Sequence, residues 1–181
     1  MKKKLHITLL ALLLVFVPPY FLVFTEEGNR VSDNALLWLF GQEDFNFNLA
    51  EAGSDFSREQ VLKAYPDIDW TCGRVDSPFG TDACNAVIGS FNDLPAHRAV
   101  VFFADQQLSA VQIIYRAQYH AALLQQLLDT LGRPEVDALA ANAPEADVVL
   151  QWNTGKGTVV LKKTIRESDQ PALLWIGSAH Q

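Results

Sequence analysis

Apolar residues run almost without a break from Leu5 to Phe24, and after that they come only in short bursts. The run is 20 residues long, about what a spanning helix needs. Lys2, Lys3 and Lys4 precede it and Glu26 and Glu27 follow. That asymmetry predicts a cytoplasmic N-terminus and a body on the far side. Pro18 and Pro19 interrupt the run, where they kink or end a helix. Leu5 to Val17 has the length of a signal-peptide core. Around Tyr20 to Glu27 there is no A-x-A-like triplet for cleavage, and no cysteine lies nearby to accept a lipid. The expectation is an uncleaved single-pass anchor in the inner (cytoplasmic) membrane, with a cleaved signal as the alternative. In both cases the body is exported to the periplasmic or extracytoplasmic side.

Residues 25–56 read as a junction. Ala35 to Phe40 is a short apolar run, and "FNFNL" alternates, which puts Phe45, Phe47 and Leu49 on one face of a strand. "DFSREQVLKAYPD" marks a helix start: Ser57 caps, Gln60 completes a capping box, and Pro66 ends the helix. Further on, "RAVVFFADQQLSAVQIIYR" reads as two strands joined at "ADQQ", a turn without the usual glycine. Cys84 to Ile88 predicts a further strand. In "AQYHAALLQQLLDTLGRPE", Tyr119, Leu123, Leu124, Leu127, Leu128 and Leu131 fall at helical spacing. Gly132 and Pro134 close that helix. Residues 133–147 read as a small-residue loop. "DVVLQW", "GTVVLKKT" and "ALLWIGS" then predict three strands, the first two a hairpin.

The predicted class is α+β: an N-terminal transmembrane helix, then an antiparallel sheet with two helices on one face, in two helix-then-three-strands halves. The predicted division is 1–24 anchor or signal, 25–56 junction and 57–181 exported domain. In this layout, the stretches "FSREQVLKAYP", "VVFFADQQLSAVQIIY" and "LLQQLLDTLGRPE" are similar to the β-lactamase-inhibitor-protein-like group of envelope domains. Its relative BamE, an outer-membrane assembly lipoprotein, shares the arrangement, although the lipobox is absent here. The resemblance implies a binding or scaffolding role at the envelope and carries no catalytic residues over.

Charge narrows the partners. Residues 25–181 hold 11 basic and 21 acidic side chains, a net −10. Such a surface repels phosphate backbones, so nucleic acid is not an expected partner. The only cysteines, Cys72 and Cys84, are separated by eleven residues that include Gly73, Pro78 and Gly80. In an exported domain such a pair forms a disulfide, stabilising the fold by about 3 kcal/mol in the chain-entropy model. Zinc binding, a redox pair and a catalytic thiol based on His97 or His120 are weaker readings. There is no CxxC or HxxxH, and nothing nearby selects a base.

Catalytic signatures are scarce. "NTGKGT" lacks the first glycine and the terminal Ser or Thr of a phosphate loop and reads as a hairpin turn. The histidines have no metal-ligand spacing, and no cofactor or metal is expected. Asp67 and Asp69 alternate in an extended segment and, with His97, form the one candidate acid–base group. The aromatics Trp70, Phe79 and Phe91, in segments read as loops, join Asp67 and Asp69 as a candidate interaction surface. The leading expectation is a non-enzymatic, membrane-anchored module that binds an envelope protein. The alternatives are a small hydrolase or cation-dependent enzyme using Asp67, Asp69 and His97, and a binder of a small apolar ligand such as a lipid.

Overall fold

The computed structural model describes Tyr20 and residues 25–39, 42–136 and 148–178. The expected anchor, Leu5–Phe24, lies outside the described residues except for Tyr20. Among the described residues, no helix is long and apolar enough to cross a membrane. The chain forms two units, residues 1–41 and 42–181.

Among the described residues of the first unit, helix α1 (Glu26–Leu39) is longer than the apolar run Ala35–Phe40 announces. The hydroxyl of Thr25 accepts the Gly28 N–H at 3.0 Å and caps its start.

The second unit is α+β. Residues 42–56, read as a junction, are part of it: Phe45, Phe47, Leu49 and Ala52 all enter its core. The alternation in "FNFNL" is obeyed, yet only β1 (Asp44–Phe45) makes strand hydrogen bonds. Helix α2 (Arg58–Ala64) begins with the expected capping box. Gln60 N–H donates to the Ser57 hydroxyl, and the Gln60 carboxamide accepts the Ser57 N–H. Pro66 follows its last turn.

The segment holding both cysteines is a hairpin, not a loop. β2 (Thr71–Ser77) and β3 (Gly80–Val87) pair antiparallel with Cys72 opposite Cys84. The register shifts between Arg74 and Ser77, a bulge near the tip of the outermost strand. β4 (Ser90–Phe91), β5 (Leu94–Ala104) and β6 (Gln107–Tyr115) follow, joined by two-residue turns at Asn92–Asp93 and Asp105–Gln106. All four turn residues have positive φ, from 46° to 66°. These are I′ hairpin turns made without glycine.

A 3-10 turn (Ala117–Tyr119) leads into α3 (His120–Leu131), where Leu123 and Leu127 are buried and Leu124, Leu128 and Leu131 pack partly buried against the core. Gly132, at φ +82°, closes it, its N–H returning to the Leu128 carbonyl. β7 (Glu135–Val136), β8 (Val149–Thr154), β9 (Gly157–Lys162) and β10 (Ala172–Gly177) complete the chain order.

One mixed sheet contains all the strands of the described residues. Its long path runs β1-β4-β5-β6-β10-β9-β8-β7, with β3 also on β5 and β2 on β3. Only β1–β4 is parallel. The predicted symmetry of two three-strand halves is therefore absent. Among the described residues, five strands separate α2 from α3 and four follow α3. The difference arises because β2, exposed at most positions, has no apolar alternation to announce it.

Alternate residues of β5, β6 and β10 point into the core. Val101, Phe103, Val111, Ile113, Leu173 and Trp175 are each at most 1% exposed, and Val61 of α2 with Leu123 and Leu127 of α3 join the same cluster.

Candidate functional site

The residues singled out from the sequence do not assemble. Asp67 and Asp69 are exposed in the turn after α2, and His97 is exposed on β5. Partial desolvation first, and the nearby Arg116 charge second, hold His97 below the ordinary histidine range. Among the described residues, no group of three or more His, Cys, Asp or Glu side chains is placed to hold a metal ion.

The aromatics divide. Phe91 is 2% exposed and belongs to the core, because β4 tucks it under the 45–49 segment, 6.3 Å from the Phe45 ring. Trp70 is partly buried and meets Phe45 edge-on at 5.8 Å. Phe79, at the hairpin tip, lies 5.4 Å from Phe102, while its carbonyl accepts the Ser109 hydroxyl. The Cys72–Cys84 disulfide is present. It clamps β2, the outermost strand, to β3.

Among the described residues, two concavities lie elsewhere. Residues 46–49 form an extended rib between α2 and α3, held by side chains in place of a partner strand. The Tyr65 hydroxyl donates to the Asn46 carbonyl at 2.7 Å. The Asn92 carboxamide takes both backbone groups of Phe47, accepting its N–H at 2.9 Å and donating to its carbonyl at 3.0 Å. Gln126 of α3 in turn donates to the Asn92 carbonyl at 3.0 Å.

On the α3 side of this rib lies a groove of about 360 Å³. Phe47, Leu49, Phe91, Leu123, Leu127 and Leu131 give it apolar walls, and Asn46, Asn48, Asn92, Gln126 and Thr130 add amides and a hydroxyl. No charged side chain lines it. A smaller groove, about 140 Å³, lies on the α2 side between Phe47, Phe56, Val61 and Tyr65. Neither is lined by Asp67, Asp69 or His97. Sequence reasoning placed Leu123, Leu127 and Leu131 on a core-facing stripe. It missed Asn92 and Gln126, whose one sequence signal is an Asn-Asp pair suited to positive φ.

The opposite sheet face is also apolar. Val100, Gln112, Leu174 and Val160 stand in register across four strands, as do Phe102, Ala110, Ile176 and Thr158. Val100, Phe102, Ile114, Val160, Leu174 and Ile176 are all partly exposed.

The second unit is thus an α+β domain with an uncharged, largely apolar groove between α3 and the 46–49 rib. No protein-family model and no curated protein matches the chain. Among solved structures, it is similar to a DUF4309 family protein (YjgB) from Bacillus subtilis subsp. subtilis str. 168. The two are 11% identical, with a TM-score of 0.34, and the match covers 83% of this chain and 97% of that one. A likeness so slight transfers neither residues nor activity. The comparison gives that family and not the β-lactamase-inhibitor-protein-like or BamE group, and the paired halves that suggested that group are missing. The resemblance does not hold.

Proposed function

We propose that the protein is a non-enzymatic, exported module that binds another protein through the groove between α3 and the 46–49 rib. The observation that carries this reading is the lining: six apolar side chains bordered by carboxamides and a hydroxyl, with no charge. Desolvating charge is costly and desolvating apolar surface is favourable, so such a lining suits a partner's apolar side chains, while the amides suit its backbone. The partly exposed apolar sheet face supports the same reading.

The disulfide supports export, since such bonds persist in oxidising compartments. The apolar run Leu5–Phe24 supports a membrane tether, which would set the domain at the extracytoplasmic face of the inner membrane.

A photo-crosslinking residue at Thr130, on the groove rim, tests the binding reading in intact host cells. One dominant protein adduct is expected from position 130 and none from Asp69, which is exposed on the turn after α2. Lipid adducts at position 130 would instead establish the groove as an acyl-chain site. The absence of any adduct would overturn the groove as a binding surface.

A further inference from the structure

The groove is uncharged inside but its surroundings are not. The three stretches that build it, 42–56, 91–94 and 120–131, contain Glu43, Asp44, Glu51, Asp55, Asp93 and Asp129 and not one lysine or arginine. Within 42–178 the lysines and arginines fall on α2, on the sheet and its loops, and at Arg133, two residues beyond the lining residue Leu131. Of the six carboxylates, Asp55 is engaged by Lys156 at 3.2 Å, and Asp93 too has a partner. Asp44 and Asp129 accept hydrogen bonds from neutral partners, the Ser90 hydroxyl and the Gln125 carboxamide. Asp93 and Asp129 directly adjoin the lining residues Asn92 and Thr130 in the chain, and Glu51 lines the neighbouring groove.

We propose that the groove takes an apolar peptide segment flanked by lysine or arginine, an inference that rests on the protein-binding reading above. The segment's core is apolar because the walls leave a buried charge without a counter-ion. Its flanks are cationic because carboxylates around a low-dielectric groove attract positive charge during encounter and repel negative charge.

The test uses the full chain and two synthetic fluorescent peptides with the same leucine–alanine core, one ending in lysines and the other in glutamates. Fluorescence anisotropy is read at low salt and near 1 M salt. The lysine peptide is expected to bind about tenfold tighter at low salt, with the difference shrinking at ~1 M, where screening acts within about 3 Å. Asp93→Asn with Asp129→Asn removes most of the preference. Both changes suit their sites, since asparagine tolerates the positive φ at 93 and retains an acceptor for Gln125. Thr130→Trp, at an exposed position on the rim, blocks both peptides.

Equal affinities for the two peptides would overturn the charge inference and leave the protein-binding reading intact. Binding that ignores Thr130→Trp would place the peptides outside the groove and overturn the assignment. No binding by either peptide would remove the protein-binding reading and this inference with it.

Discussion

Asn92 serves Phe47 as a neighbouring strand would, although 45 residues separate them. Its carboxamide closes both backbone hydrogen bonds of Phe47, at 2.9 and 3.0 Å. Phe47 in turn stacks on Phe45 at 5.5 Å and meets Trp175 edge-on at 6.5 Å. One side chain thereby connects a hairpin turn, the rib and the centre of the sheet.

Asn92→Ala leaves two backbone groups of a buried residue unpaired and gives up a residue suited to positive φ. We expect a loss of about 2–3 kcal/mol, read as a lower denaturant midpoint with an unchanged slope. Asn92→Gly retains the φ but loses the bonds. A glycine variant as stable as wild type would show that the clamp contributes nothing.

Gln106 sits at φ +66°, in the second central position of a I′ turn, where glycine is favoured. Its backbone carbonyl accepts the Arg58 N–H, a bond that glycine keeps. Gln106→Gly should therefore stabilise the domain by roughly 0.5–1 kcal/mol. Thermal unfolding gives the sign directly.

Replacing both Cys72 and Cys84 with alanine should cost about 3 kcal/mol. The loss should match that of the wild type unfolded under reducing conditions. β2 should then exchange its amide hydrogens faster than β5 and β6, because β3 is its only paired neighbour.

Alkaline pH should weaken the fold. Burial raises the ionisation of Tyr115 well above the ordinary tyrosine value and raises that of Tyr65. For a raised pKa the contribution is fully present below the unfolded value, about 10. It is lost as pH climbs from there towards the folded value. Stability measured across that range should fall, and Tyr115→Phe should flatten the slope. The same change removes the 2.7 Å bond that the Tyr115 hydroxyl donates to His120 Nδ1. The free hydrogen at Nε2 is then the one donated to the Lys163 carbonyl. The variant should thus be weaker at neutral pH yet less sensitive to base.

Elements with strong local rules were legible in the chain. The capping box of α2, the leucine stripe of α3 and the apolar runs of β5, β6, β8, β9 and β10 each carry a period or a cap that is decided within a few residues. What escaped was decided at long range. β2 lacks alternation because it is exposed at most positions, so "TCGRVDSPFGTDAC" resembles a loop, and only the Cys84–Val87 end of β3 was legible. Phe91 looks loop-borne until β4 pairs with β1, 46 residues earlier. The groove has no sequence signature, since it exists only where a rib, a turn and a helix meet.

The bulge in β2 has a bearing on how the molecule behaves in company. A straight outermost strand with open amides invites the next copy to zip on and the one after that to follow. Here the regular ladder stops after Arg74, Pro78 follows the strand's end, and Arg74 and Asp76 are both exposed on that edge. Copies of this domain can therefore stay separate molecules even when crowded, because this edge offers no straight ladder for the next copy to extend.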